Sequence, residues 1–138
     1  MLLSVKGQKI ADIFPWGVQW PPSEKAGNYA SEELKPLLAV GKHSYLKGVI
    51  FAGCHDGYAN TSPVGTYAVN QFGLYDMGGN VNQWCDGWFD EDRKEYVYRG
   101  AAWDGSARGT LLSSNRGHTA PTNRFNNLGF RCVLEPVR

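Results

Sequence analysis

Three cysteines, three histidines and thirteen carboxylates are among the side chains able to act as nucleophile, acid, base or metal ligand in this 138-residue chain. Their spacing decides what they can do. Cys54, Cys85 and Cys132 form no CxxC pair and do not cluster, so a zinc site is not indicated. Reduced, packed thiols are the plain reading, with one disulfide and a leftover thiol as the alternative. His43, His55 and His118 lie far apart and support no Ser-His-acid grouping, which favours structural or surface roles. Asp86, Asp90, Glu91 and Asp92 are close enough to pair carboxylates for acid-base work, but a solvated loop is the simpler account. Gly78-Gly79-Asn80 lacks the spacing and the lysine of a phosphate loop. Asn60-Thr61-Ser62 fits a glycosylation sequon. From Gly105 onward Arg108, Arg116, Arg124, Arg131 and Arg138 stand against Glu135 alone, among Ser113, Ser114, Asn115, Thr122, Asn123, Asn126 and Asn127. Guanidinium forks suit carboxylate or phosphate, and short amides and hydroxyls add adaptable hydrogen bonds.

The elements that must position these residues are sparse. Only Ser31 to Ala39 reads as helical, with Glu32-Glu33 in an acidic first turn and Pro36 limiting its length. Strand-like runs stand at Glu95-Tyr96-Val97-Tyr98-Arg99 and Leu128-Gly129-Phe130-Arg131-Cys132-Val133-Leu134, and these two are expected to pair. Residues 105–127, between them, carry loop chemistry presented on a strand scaffold. Seventeen glycines and five tryptophans predict irregular loops around an aromatic core, because glycine permits tight turns while large rings supply buried area. The fold class is therefore α+β with low regular secondary structure.

With 42% hydrophobic and 20% charged residues, the composition is that of one soluble domain spanning 1–138. A formal net charge of +1 gives no global pull toward membrane or nucleic acid. No apolar stretch reaches the roughly 20 residues of a spanning helix. Met1-Leu2-Leu3-Ser4-Val5 breaks off at Lys6-Gly7-Gln8-Lys9, too early for a signal-peptide core. A cytoplasmic location is the default expectation.

The densest signal is Asn70-Gln71-Phe72-Gly73-Leu74-Tyr75-Asp76-Met77-Gly78-Gly79-Asn80-Val81-Asn82-Gln83-Trp84, which closely resembles the GLYDMxGNVWEW signature of the formylglycine-generating-enzyme and sulfatase-modifying-factor family. The rest follows in family order. Phe14-Pro15-Trp16-Gly17, Trp20-Pro21-Pro22, Gly27-Asn28-Tyr29-Ala30, Asp56-Gly57-Tyr58 and Ser62-Pro63-Val64-Gly65 precede it. Arg99-Gly100-Ala101-Ala102-Trp103 stands downstream where the family has RGGSW, and Asn127-Leu128-Gly129-Phe130-Arg131 where it has NxGFR. The resemblance runs from about Phe14 to Leu134. It implies a C-type-lectin-like fold with a small antiparallel sheet and long loops.

The resemblance also implies what is missing. Family domains usually begin well before the FPWG element, whereas thirteen residues precede Phe14 here. A homodimer, or a protein partner supplying the missing N-terminal part, is the resulting expectation. Active relatives carry a pair of cysteines after the RGGS-type strand, whose thiolates bind copper(I) for oxidation of a substrate cysteine. Counted from Arg99, those positions fall on Gly105 and Thr110, so no copper cofactor is expected. The family also uses two structural calcium sites. By resemblance the first draws on the Asn28 and Asp56 side chains with the carbonyls of Tyr29 and Tyr58. The second draws on Asp76, the carbonyls of Gly79 and Val81, and Gln83, where a neutral amide replaces the family's glutamate. Turn capping by Asp56 and Asp76 through their own backbone is the alternative.

For ligand recognition the candidates are Trp103, as an aromatic on the old active face, with Arg108, Asn115, His118 and Arg124 from the loop. Trp84 and Trp88 read as core, as do small buried thiols at Cys85 and Cys132, while Arg131 and Arg116 read as structural. Two function classes stay open. One is a non-catalytic binding or display module for a polar or anionic ligand or a protein partner. The other is a divergent enzyme or accessory subunit of the same family.

Overall fold

The computed structural model describes residues 13–42, 46 and 50–134. His43 lies outside them. Little of the chain is regular, as its glycine-rich composition predicts. A 3-10 turn at Glu32–Leu34 runs into a short helix α1, Lys35–Ala39, with Pro36 in its first turn, where a missing amide costs nothing. Ser31 precedes the turn without capping it, because its hydroxyl donates instead to Asp56 Oδ1 at 2.8 Å.

The sheet comprises β1 (Asn82–Trp88), β2 (Tyr96–Arg99), β3 (Gly117–Thr119) and β4 (Leu128–Gly129), in the order β3-β2-β1-β4. β1 pairs antiparallel with β2 and parallel with β4, and β2 pairs antiparallel with β3. The sheet is thus mixed rather than wholly antiparallel. The expected pairing of the 95–99 and 128–134 runs does not occur, because β1 lies between them. β1 reads in sequence as part of the glycine-rich signature, yet it is the longest strand. Its pairing with β2 shifts register between Trp84 and Trp88, and Trp88 stacks edge-on with Tyr96 at 4.2 Å while remaining 37% exposed. Trp88 therefore lies at the surface rather than in the core.

The buried core is built mostly from the loops. One cluster joins Phe14, Tyr29, Phe51, Ala101 and Leu111, and a second joins Ala30, Leu34, Leu46 and Trp103. Phe14 stacks on Trp16 at 4.8 Å, Trp16 meets Tyr29 edge-on at 5.1 Å, and Trp20 meets Phe51 edge-on at 5.3 Å. Such ring pairs add about 0.5–1.5 kcal/mol each beyond the area they bury. Phe14 of the FPWG element and Tyr29 and Ala30 of the GNYA element are thus core residues, whereas Trp20 of the WPP element is exposed at the edge of the aromatic cluster.

All three cysteines are free. Cys54 and Cys85 are partly buried, but Cys132 is exposed, contrary to the expected small buried residue. The physical reason is that β4 ends at Gly129 and the chain after it runs along the surface. Among the described residues no helix is long and apolar enough to cross a membrane.

Candidate functional site

Two neighbouring regions carry the chemistry. The first is a buried polar knot around Asn28, Asp56 and Asn80. Asp56, 8% exposed, accepts from Tyr29 N at 2.9 Å through Oδ2, and from Ser31 Oγ at 2.8 Å and Tyr58 N at 3.1 Å through Oδ1. The amides of Tyr29 and Tyr58, not their carbonyls, are thus the groups directed at this carboxylate. Burial raises the Asp56 pKa, while the Tyr29, Tyr58 and Ser31 hydrogen bonds oppose that rise.

Asn28 is 0% exposed and donates through Nδ2 to Asn60 O at 2.6 Å and to Asn80 Oδ1 at 3.4 Å. Its own Oδ1 is buried without a protein partner, an arrangement that costs about 1–3 kcal/mol unless something else is bound. Asn80 ties the knot together. Its backbone amide donates to Asn28 O at 2.8 Å, its Oδ1 accepts from Ser62 N at 2.9 Å, and its carbonyl accepts from Trp103 N at 2.9 Å. Sequence reasoning missed this hub. The signal was available in Gly78-Gly79-Asn80, since Asn80 sits at φ 63°, a left-handed conformation that asparagine tolerates. Gly79 beside it is at φ 83°, and a Cβ there would stand 2.7 Å from Asn28 O.

The second predicted calcium set is occupied by protein. Gln83 Nε2 donates to Asp76 O at 2.6 Å, and Gln83 Oε1 accepts from Arg131 Nε at 2.6 Å. Arg131 Nη2 donates to Tyr75 O at 2.8 Å and Asp76 O at 3.0 Å. Asp76 Oδ2 caps Gly65 N at 2.7 Å. The guanidinium therefore engages Gln83 Oε1, one oxygen of the predicted set, and places a repelling charge beside Asp76. Of the two sets, the buried carboxylate and orphaned amide oxygen of the first fit a hard cation, and the second does not. Gly79 and Val81 supply backbone between them. Among the described residues no three His, Cys, Asp or Glu side chains converge on a metal position, so a cation at the first set would depend on amide and carbonyl oxygens.

The positions where the family places its cysteine pair form a tight turn. Gly105 N donates to Ala102 O at 2.9 Å, and Gly105 O accepts from Ala30 N at 3.1 Å. A Cβ at Gly105 would lie 3.1 Å from Ala102 O and 3.3 Å from Leu111 Cδ2. Thr110 follows in the 3-10 turn Arg108–Leu111, where its hydroxyl donates to Ala107 O at 2.8 Å. Neither offers a soft ligand. Burial and then the charges of Asp56, Glu24, Glu33 and Glu32 push the Cys54 thiol up to about 11, which lowers its thiolate fraction.

The chain matches the sulfatase-modifying factor enzyme 1-like domain family over residues 11–136. The chain belongs to this family. It is 33% identical to the inactive C-alpha-formylglycine-generating enzyme 2 of Bos taurus over 136 residues, covering 94% of this chain and 40% of that protein. It is 31% identical to the formylglycine-generating enzyme of Thermomonospora curvata over 144 residues, covering 90% of this chain and 43% of that one. Among solved structures, PvdO from Pseudomonas aeruginosa superposes with a TM-score of 0.57 at 27% identity, over 85% of this chain and 43% of that one. The fold is the C-type-lectin-like fold of formylglycine-generating-enzyme relatives, and the chain spans about two fifths of their length.

The five predicted ligand residues of this formylglycine-generating-enzyme-like chain are not brought together. Trp103 is 1% exposed in the second core cluster, with its indole donating to Asn126 O at 3.4 Å. It is a core residue and not a groove aromatic, since the chain beyond β2 turns inward and packs it with Ala30, Leu34 and Leu46. Arg108 lies over Phe14 at 5.0 Å and Trp20 at 5.4 Å, a cation-π stack. Asn115 contributes its carbonyl to Arg99 Nη1 at 2.9 Å. Exposed His118 meets Glu95 Oε2 at 2.6 Å and stacks on Phe89 at 3.7 Å, with Arg116 over the same ring. Arg124 donates to Pro121 O and Asn123 O within its own turn. A cavity of about 470 Å³ lies elsewhere, between residues 21–25 and 51–54, and none of these five lines it.

Proposed function

We propose that the chain is a non-catalytic binding module on a formylglycine-generating-enzyme-like scaffold. The observation that carries this reading is the Gly105–Thr110 turn, which holds a packed glycine and a hydroxyl where copper(I) would require two thiolates. Similarity to the inactive C-alpha-formylglycine-generating enzyme 2 of Bos taurus supports it. The recognised species is a polar or anionic ligand or a protein partner. Arg116, His118 and Phe89, stacked together beside β3, with Arg124 nearby in sequence, give the side chains that suit such a ligand. Retention of the purified chain on a peptide or glycan array, lost on Arg116→Ala with Arg124→Ala, is the expected outcome. Copper(I) held against a competing chelator would overturn the reading.

We further propose one structural calcium per chain, held through Asn28 and Asp56, with the Asp76 and Gln83 set closed by Arg131. The orphaned Asn28 Oδ1 supports the first half of this statement and the Arg131 hydrogen bonds the second. Bound calcium would neutralise a buried carboxylate and fix loops that lack ladder hydrogen bonds. Partnering with a further polypeptide or a second copy is part of the same proposal, and it rests on exposed apolar residues such as Val64, Phe72 and Phe125.

A further inference from the structure

The cavity of about 470 Å³ between residues 21–25 and 51–54 is used by neither proposal above. Its size falls within the roughly 300–1,000 Å³ of small-molecule sites. Buried Pro22 and Phe51 line it, and exposed Pro21 adds a further apolar wall. The Phe51 ring is braced from one side by Trp20, which meets it edge-on at 5.3 Å. The remaining wall is of another kind. Glu24 and Lys25 are consecutive exposed residues of the turn that Ala26 N closes on Ser23 O at 2.9 Å, and both line the cavity. Among the described residues neither forms an ion pair, whether with another side chain or with each other. One carboxylate and one ammonium thus stand unmatched beside an apolar wall.

We infer that this cavity binds a free α-amino acid with an aromatic side chain, its ammonium set against Glu24, its carboxylate against Lys25 and its ring against Phe51 and Pro22. A dicarboxylate would bring like charge to Glu24, and a diamine would bring like charge to Lys25. A neutral apolar molecule would answer neither. A zwitterion answers both signs at once, and charge matching of this kind supplies specificity more than raw affinity. The ring is selected because Phe51 and the prolines offer apolar area, and contact between rings adds to what burial alone contributes. The site is separate from the β3 surface, since none of Phe89, Arg116, His118 and Arg124 lines it.

Calorimetric titration of the full chain with L-phenylalanine tests the inference, alongside phenethylamine, which lacks the carboxylate, and hydrocinnamate, which lacks the ammonium. Saturable binding of L-phenylalanine is expected, with each half-ligand weaker by roughly fivefold. Glu24→Gln should erase the advantage over hydrocinnamate, and Lys25→Gln the advantage over phenethylamine. Backbone amide shifts in nuclear magnetic resonance should concentrate at Ser23–Ala26 and Phe51–Cys54. No saturable binding up to millimolar concentration overturns the inference. So does binding that both half-ligands equal in the unaltered chain, or that neither substitution changes.

Discussion

The polar knot at Asn28, Asp56 and Asn80 and the turn from Ala102 to Leu111 touch through the hydrogen bonds from Ala30 N to Gly105 O and from Trp103 N to Asn80 O, yet they keep opposite halves of the family pattern. The knot has a buried carboxylate, an orphaned oxygen and a full set of internal donors. The turn has a packed glycine and a hydroxyl at the two family cysteine positions and no sulfur. What the pair teaches is that structural and reactive ligands sit on different physical footings. Removing Asp56 would leave buried donors unpaired, whereas a thiol can be replaced by glycine or threonine without unsatisfying anything around it.

The largest expected effect comes from breaking the knot. Asp56→Ala strands Tyr29 N, Tyr58 N and Ser31 Oγ, and should destabilise the fold by about 3 kcal/mol, read as a lowered midpoint in urea. Asp76→Asn, whose side-chain bond to Gly65 N is exposed, should cost about 1 kcal/mol or less. Equal losses would erase the distinction between the two sets.

Calcium sharpens the same contrast. At a hundredfold excess over its dissociation constant it should add about 2.7 kcal/mol, raising the melting temperature by roughly 8 °C. That increment should vanish in Asn28→Ala and survive in Asp76→Asn, and an unchanged melt in excess chelator would count against the site. It should also fade with acid. Because burial raises the Asp56 pKa, the folded apo chain holds that proton more tightly than the unfolded chain does. Protonation therefore relieves the buried charge as pH falls, while calcium needs the carboxylate free. The calcium increment is full above the raised pKa and lost as pH falls through it.

Smaller effects test the closed set and the turn. Gln83→Glu alone should pair with Arg131 and bind no second calcium, whereas Gln83→Glu with Arg131→Met should gain a second site in calorimetry. Gly105→Cys should cost about 1–2 kcal/mol, because its Cβ would crowd Ala102 O and Leu111 Cδ2. A neutral or stabilising result would mean the turn is more open than its packing indicates.

Much of this was legible in the sequence, and the misses have physical causes. The ordered motifs gave the family and the aromatic core, since rings at Phe14, Trp16 and Tyr29 bury area wherever the backbone runs. Glycine and threonine at 105 and 110 were readable because chemistry depends on residue type. Strand pairing was not, because β1 lies within a glycine-rich signature and its partners are set by tertiary packing rather than local alternation. Trp103 misled for a similar reason. Position along a motif does not say whether the chain beyond a strand turns inward. Arg131 read as structural and is so, but its partners Gln83 and Asp76 lie 48 and 55 residues away, beyond the reach of local sequence reading.

The most direct test of the scaffold-without-oxidase account is mass spectrometry of a cysteine-containing peptide incubated with the calcium-loaded chain, copper(I) and oxygen. The account predicts that the peptide thiol is consumed no faster than in buffer with copper alone. Copper-dependent turnover of the cysteine, sustained by the chain and lost on its removal, would contradict it.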